Sequence, residues 1–68
     1  LENYEEWTPA KPIYINKNVW IGANSVILPG VNLGSNCIVG AGSVVTKSFE
    51  ENSVIAGVPA RLIGKNKY

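Results

Sequence analysis

The sequence predicts an all-β fold in which one chain winds into a three-sided parallel β-helix, and two observations support that prediction. Large aliphatic residues recur at a strict interval of six, at positions 15, 21, 27, 33, 39 and 45. The period of an α-helix, about 3.6, would scatter these positions around the helix, and the period of a strand, about 2, does not explain why only every third inward position is large. Residues 21–27 also align with residues 39–45, with four identities, at an offset of 18. One coil therefore takes three hexads, and the chain holds about two coils plus a C-terminal closing segment.

Each hexad is predicted to form a short strand that ends in a corner. Two residues before each large aliphatic, on the same face of the strand, comes a smaller or β-branched residue: Ile13, Val19, Ser25, Val31, Cys37 and Ser43. Three residues after it comes a series that tolerates positive φ: Asn18, Asn24, Gly30, Asn36, Gly42 and then Ser48. Parallel stacking one coil apart predicts these pairs: Ile15 with Leu33, Ile21 with Val39, and Ile27 with Val45. Cys37 is expected to lie in the core. The side chains of Asn18 and Asn36, at matching corners one coil apart, are expected to hydrogen-bond as a ladder.

The chain divides into three predicted segments. Residues 1–12 hold acidic and aromatic residues and two prolines, and we expect an extended arm. Residues 13–64 form the β-helix, and residues 65–68 form a polar tail. Ile55 arrives four residues after position 51, where the hexad count expects an inward residue, so Glu50–Asn52 is predicted to bulge outward. A last short strand, Val54–Val58, ends at Pro59 and is followed by a short helix or an edge strand.

Composition narrows the possible functions. The chain has 68 residues, one cysteine, no histidine and a net charge of +1. It therefore offers no internal disulfide, no histidine base, no histidine-ligated metal and no basic field for nucleic acid. No apolar run approaches the ~20 residues that span a bilayer, so we expect a cytoplasmic protein without a membrane span.

Open strand edges in so short a solenoid predict the C-terminal piece of a longer domain. A row of outward apolar residues, Trp20, Val26, Ile38 and Val44, predicts a homo-oligomer.

Five motifs go beyond the hexad period: Pro12-Ile13, Val19-Trp20-Ile21-Gly22, Leu28-Pro29-Gly30-Val31, Gly40-Ala41-Gly42-Ser43-Val44-Val45-Thr46-Lys47 and Ala56-Gly57-Val58-Pro59-Ala60-Arg61. Together they resemble the left-handed β-helix hexapeptide-repeat acyltransferases, above all the maltose and galactoside O-acetyltransferase branch. The left hand comes from this resemblance, because the general preference in parallel crossovers is right-handed.

The resemblance implies a function. Members of the family are typically homotrimers that transfer an acyl group from coenzyme A to a hydroxyl or an amine, with the cofactor in a groove between neighbouring prisms. It implies an acetyl-CoA-dependent O-acetyltransferase acting on a sugar or on a surface-polysaccharide precursor, as in lipopolysaccharide biosynthesis. The family's catalytic histidine corresponds to a position upstream of Leu1, where it would remove the proton of the acceptor hydroxyl before attack on the thioester. No catalytic residue and no metal site are expected in this chain.

The resemblance also assigns site residues. The expected coenzyme A contacts are Ala23, Ala41, Thr46, Lys47 and Arg61, and Trp20 is expected beside the acceptor and the thioester. Other interpretations stay open from the residues alone. Sharp corners need small residues in any case, Lys47 and Arg61 could be solvated surface charges, and Trp20 could fill a subunit contact.

Three other functions remain on the sequence alone. An N-acetyltransferase on an amino sugar or amino acid shares the donor groove, and these residues do not separate an amine from a hydroxyl acceptor. A structural or ice-binding β-helix would carry outward threonine rows, whereas only Thr8 and Thr46 are present. A zinc-dependent hydratase on the same coil needs histidine ligands, and this sequence contains none.

Overall fold

The computed structural model describes residues 11–67, which form eight strands and contain no helix. The predicted arm of residues 1–12 therefore lies mostly outside the described residues, as does Tyr68. No helix in the described range is long and apolar enough to cross a membrane. The strands are β1 (Tyr14–Ile15), β2 (Trp20–Ile21), β3 (Val26–Ile27), β4 (Asn32–Leu33), β5 (Ile38–Val39), β6 (Val44–Val45), β7 (Ser53–Gly57) and β8 (Ala60–Lys65).

The strands pair in parallel at the predicted offset. Strand β1 pairs with β4, β2 with β5 and β3 with β6, and each residue lies opposite the one 18 positions later. The three predicted stacks of large aliphatic residues are confirmed, with Ile15 on Leu33, Ile21 on Val39 and Ile27 on Val45. These pairs belong to three sheets: the first sheet (β1, β4), the second sheet (β2, β5, β7, β8) and the third sheet (β3, β6). Strands β1, β2 and β3 therefore each pair with the strand three hexads later.

The core lies between successive coils. Leu33, Val45 and Ile55 are fully buried, and Cys37 is buried beside them as predicted. In the first described coil, by contrast, Ile15 keeps 44% of its surface exposed. The difference follows from stacking, because a coil hides its inward residues only where another coil covers them.

The corners carry the positive φ angles that the sequence predicts, with one exception. Asn18, Asn24, Gly30, Asn36 and Gly42 all have φ between 62° and 86°. The ladder is also confirmed, since Asn18 Nδ2 donates to Asn36 Oδ1 at 2.9 Å. Short amide side chains make the left-handed region accessible to asparagine.

The exception is Ser48, for which the prediction of a left-handed corner is wrong. Asn52 adopts that conformation instead, with φ 65°. The hydroxyl of Ser48 accepts the backbone N–H of Asn32 at 2.9 Å, so this side chain ties the strand below it to the shortened corner.

The predicted bulge at Glu50–Asn52 is wrong as well, because the irregularity is a deletion rather than an insertion. Phe49 pairs with Leu33 and Ile55 pairs with Val39, both at an offset of 16 instead of 18. Phe49 thus takes the place that the hexad count gives to position 51. The corner after Val45 is two residues short, and the interval of six returns between Phe49 and Ile55. The aliphatic pattern hid this, because the residue that resumes it is aromatic.

The chain closes with a hairpin. Strand β8 pairs antiparallel with β7 on the edge of the second sheet, which decides between the two predicted endings in favour of an edge strand. Beyond it, the Asn66 backbone N–H donates to the Asn52 carbonyl at 2.8 Å, and Asn66 Nδ2 donates to the Asn36 carbonyl at 2.9 Å. Asn66 thereby ties the segment after β8 to the corner that carries Asn36 and Asn52.

Candidate functional site

The predicted contact residues flank the third sheet. Ala23 and Ala41 stand on one side, in the corner between the second and third sheets, which we call the alanine corner. Thr46 and Lys47 stand on the other side, in the corner after β6, which we call the lysine corner. All four residues are exposed. The outward residues of the strands between them are Val26, which is 49% exposed, and the half-buried Val44.

The alanine corner is packed tightly from one coil to the next. The backbone N–H of Gly42 donates to the carbonyl of Ala23 at 2.9 Å. A Cβ placed on Gly22 would lie 2.5 Å from the backbone nitrogen of Ala41, which is closer than real Cβ atoms approach. Glycine is therefore required at position 22 for the two layers of the corner to stack at this distance.

The direction of the Gly40–Ala41 peptide group in this corner is fixed by hydrogen bonds from the interior. The carbonyl oxygen of Gly40 accepts hydrogen bonds from Ser25 Oγ at 3.0 Å and from Ser43 Oγ at 2.6 Å. Ser43 is fully buried, so the carbonyl points into the interior. The Gly40–Ala41 peptide is trans, and the N–H of a trans peptide points opposite to its C=O. The Ala41 N–H therefore points outward.

This outward N–H is available to a ligand. Among residues 11–67 it has no hydrogen-bond partner, and Ala41 is exposed. An unpaired backbone N–H of fixed direction is a donor for a carbonyl or an anionic oxygen. The site can therefore present a preset hydrogen-bond donor beside an apolar strip.

The lysine corner supplies a cation at the far side of the third sheet. Lys47 Nζ lies 5.6 Å from the centre of the Phe49 ring, in a cation–π contact. At an exposed position such a contact contributes only about 0.5–1 kcal/mol, so a phosphate can displace it readily. Thr46 adds a hydroxyl, which is a second donor at the same corner.

Arg61 joins the alanine corner through the second sheet. It pairs with Ala56 across the hairpin, and the Ala56 side chain lies 3.0 Å from where a Cβ on Gly40 would be. Gly40 of the alanine corner thus packs against Ala56 in β7, and Arg61 lies in the next strand, β8. It is exposed, and the ion pair found in the described range joins Lys65 to Glu50 at 3.9 Å rather than Arg61 to a carboxylate.

Trp20 stands apart from the four residues of the two corners and shares the second sheet with Arg61. It lies on the outer face of the second sheet, opposite Ile38, and 68% of its surface is exposed. The alanine corner separates it from the third sheet. The predicted residues thus lie at the two corners that flank the third sheet, with Arg61 and Trp20 on the adjoining second sheet.

Sequence reasoning missed the two serines that orient this site. It assigned Ser25 and Ser43 to the interior as small residues, and did not foresee that both hydroxyls bind one carbonyl. The available signal was that a polar residue recurs at the same hexad position one coil apart, since a buried hydroxyl needs a partner.

A cleft of about 700 Å³ lies elsewhere, at the corner between the first and second sheets. None of the predicted residues lines it. Its lining includes Glu50 and Glu51, and no lysine or arginine. Two carboxylates repel phosphate oxygens, so the alanine corner with its exposed donor is the better candidate for an anionic ligand. The lining residues are Asn16, Asn32, Gly34, Ser35, Ser48, Phe49, Glu50 and Glu51.

Comparison with known proteins gives the site a context. A family described as the hexapeptide repeat of succinyl-transferase matches residues 12–47. The galactoside O-acetyltransferase of Escherichia coli is 58% identical over 52 residues, which make up 76% of this chain and 26% of that protein. A putative lipopolysaccharide biosynthesis O-acetyl transferase of the same organism is 51% identical over 53 residues, or 78% of this chain and 27% of the relative.

A solved structure is similar over the same part. A galactoside acetyltransferase in complex with coenzyme A superposes with a TM-score of 0.79 and 55% identity, over 81% of this chain and 28% of its own. The chain spans about a quarter of the length of the curated relatives it matches.

Proposed function

Because the chain belongs to the hexapeptide-repeat transferases, we propose that the protein is an acetyl-CoA-dependent O-acetyltransferase acting on a sugar or on a precursor of a surface polysaccharide. The observation that carries the proposal is the outward N–H of Ala41, which has no hydrogen-bond partner within the described part of the chain and lies between an apolar strip and exposed cations. The relative solved with coenzyme A supports the identity of the donor. Coenzyme A supplies the acyl group as a thioester.

The residues of the site fit the parts of this donor. Its pantetheine arm carries amide carbonyls, which suit the Ala41 N–H, and apolar segments, which suit the exposed faces of Val26 and Val44. Its phosphates suit Lys47 and Arg61, since an ammonium and a guanidinium both bind phosphate oxygens. Thr46 can donate to the same group, and the small side chain of Ala23 leaves the backbone of the corner approachable.

The winding and the assembly are part of the proposal. The left hand of the coil is inferred from the solved relatives, and the parallel offset of 18 residues supports a β-helix. We propose a homotrimer in which a neighbouring copy covers the exposed face carrying Trp20 and Leu62, which are 68% and 53% exposed. Sedimentation equilibrium of the natural protein tests this, and a monomeric mass at micromolar concentration would contradict it.

The chain described here binds and orients rather than moving a proton. Its sequence holds no histidine, so we propose that a histidine outside it takes the proton of the acceptor hydroxyl. The Ala41 N–H then holds the pantetheine arm of coenzyme A, and Lys47 and Arg61 bind its phosphates. Trp20 borders the acceptor. The reaction takes place in the cytoplasm under this proposal.

Two assays on the natural protein test the function. Isothermal titration calorimetry with coenzyme A measures donor binding, and thiol release from acetyl-CoA measures transfer to galactosides, maltose or a polysaccharide precursor. We expect binding together with acceptor-dependent release. The absence of binding heat at millimolar coenzyme A, or release with amines in place of sugars, would contradict the proposal.

Replacing Lys47 or Arg61 by alanine is expected to raise the KM for acetyl-CoA about tenfold, because each variant loses a charge-assisted phosphate contact. The kcat should stay within about twofold, since neither group touches the acyl carbon. Steady-state kinetics at varied acetyl-CoA measures both constants. Lys17→Ala, which removes an exposed lysine from a different corner, is the control, and an equal effect there would show that only net charge matters.

A further inference from the structure

The proposed donor site leaves open what keeps its two backbone segments in place. One segment is the alanine corner, and the other is the turn after β7 that leads to Arg61. The buried hydroxyl of Ser43 hydrogen-bonds to both of them, and the Gly40 N–H also donates to the carbonyl of Ile55 in β7 at 2.8 Å. We infer that Ser43 is a positioning residue for coenzyme A, an inference that rests on the proposed function.

The Ser43 hydroxyl uses both of its hydrogen-bonding capacities inside the core. It is fully buried, donates to the Gly40 carbonyl at 2.6 Å and accepts the backbone N–H of Gly57 at 3.2 Å. A buried hydroxyl without partners is costly, so these two bonds define where the group can sit. Gly40 and Gly57 are therefore held at a fixed separation by one oxygen atom.

The bond to the Gly40 carbonyl sets the direction of the Ala41 N–H, the group proposed to bind coenzyme A. Gly40 and Ala41 share one planar peptide, so the hydroxyl that draws the Gly40 carbonyl inward also turns the Ala41 N–H outward. Ser25 supports it with a longer bond to the same carbonyl, at 3.0 Å. Without Ser43 the peptide keeps one of its two inward bonds and gains freedom to rotate.

The second bond sets the hairpin that presents Arg61. Gly57 is the last residue of β7 and has φ of 109°, at the start of the turn that returns the chain into β8. Its N–H donates to the Ser43 hydroxyl at 3.2 Å, which ties the end of β7 to the alanine corner. The distance between the Ala41 amide and Arg61 thus depends on this hydroxyl, although Ser43 itself is too deeply buried to touch a ligand.

The chain provides a matched control at another corner. Ser53 is 1% exposed and donates to the carbonyl three residues before it, that of Glu50, at 2.7 Å, as Ser43 does to Gly40. Cys37 lies 3.2 Å from the same carbonyl and occupies the place that Ser25 has beside Gly40. This second arrangement fixes the corner between the first and second sheets, away from the proposed donor site.

The experiment compares Ser43→Ala with Ser53→Ala in the natural protein. Ser43→Ala loses two buried hydrogen bonds and Ser53→Ala loses one, so we expect both variants to be less thermally stable, Ser43→Ala the more so. We expect Ser43→Ala alone to raise the dissociation constant of coenzyme A, measured by calorimetry, about tenfold. Its KM for acetyl-CoA should rise by the same factor, while the acceptor KM and kcat stay within about twofold.

A further variant keeps the test decisive if Ser43→Ala folds poorly. Ser25→Ala removes only the longer of the two bonds to Gly40 and leaves Gly57 held, so we expect a smaller loss, about threefold in coenzyme A affinity. Equal coenzyme A affinities in all variants and wild type would overturn the role of Ser43 alone. Equal weakening by Ser53→Ala would also overturn it. Absence of coenzyme A binding by the wild-type protein would overturn the proposed function itself.

Discussion

Replacing Leu33 by alanine is expected to lower the free energy of unfolding by about 2–5 kcal/mol. Leu33 is fully buried and lies between Ile15 in the coil below and Phe49 in the coil above. Its removal leaves a cavity in the middle of the stack, where neither neighbour can collapse without breaking its own strand pairing. Urea unfolding followed by circular dichroism measures the change.

Val58→Ala is the control for this experiment. Val58 lies in the turn between β7 and β8 and is 71% exposed, so its truncation should change the free energy of unfolding by about 0.5 kcal/mol or less. Equal losses in the two variants would contradict the stacking of coils, because they would mean that Leu33 is no more enclosed than a turn residue.

Gly22→Ala is expected to have a large effect on both stability and donor binding. The added methyl group would lie 2.5 Å from the backbone nitrogen of Ala41, and this neighbour is main chain rather than a flexible side chain. Relief requires the two layers of the alanine corner to separate, at a cost of about 1–3 kcal/mol. The displaced Ala41 amide should also weaken coenzyme A binding at least tenfold, about 1.4 kcal/mol.

Alanine variants at two other glycines separate the effect on stability from the effect on coenzyme A binding. At Gly34 an added methyl group would lie 2.4 Å from the backbone nitrogen of Glu51, so Gly34→Ala should destabilise the protein similarly and leave coenzyme A affinity unchanged. Gly64 has no atom within 4 Å of such a methyl group, so Gly64→Ala should alter neither property. Thermal melts and calorimetric titrations of the three variants measure both. Loss of coenzyme A binding in Gly34→Ala would contradict the location of the donor site.

The sequence was sufficient to predict the regular part of the fold. The interval of six and the self-alignment at 18 correctly predicted which residues stack, because a coil covers its inward side chains only at that register. The position of Phe49 could not be predicted in this way. Its inward place depends on a corner shortened by two residues, and the hydrophobic pattern tolerates either a deletion or a bulge at that point.

The residues of the candidate site stay predictions from the sequence, and their geometry could not be predicted from it. The motifs placed Ala41, Thr46 and Lys47 together through the resemblance, and periodicity explained why corner residues are small. The outward direction of the Ala41 N–H depends on two hydroxyl groups that meet one carbonyl across the coils. Such a contact is set by side-chain torsion angles and coil spacing, which a one-dimensional pattern does not contain.

A crystal structure of the natural protein with coenzyme A bound tests the central claim most directly, namely that the donor is held by the outward amide of Ala41. The account predicts a pantetheine carbonyl oxygen about 2.7–3.2 Å from the Ala41 nitrogen, the arm lying along Val26 and Val44, and phosphate oxygens on Lys47 or Arg61. Coenzyme A bound instead in the cleft beside Glu50 and Glu51, with the Ala41 amide facing solvent, would contradict it.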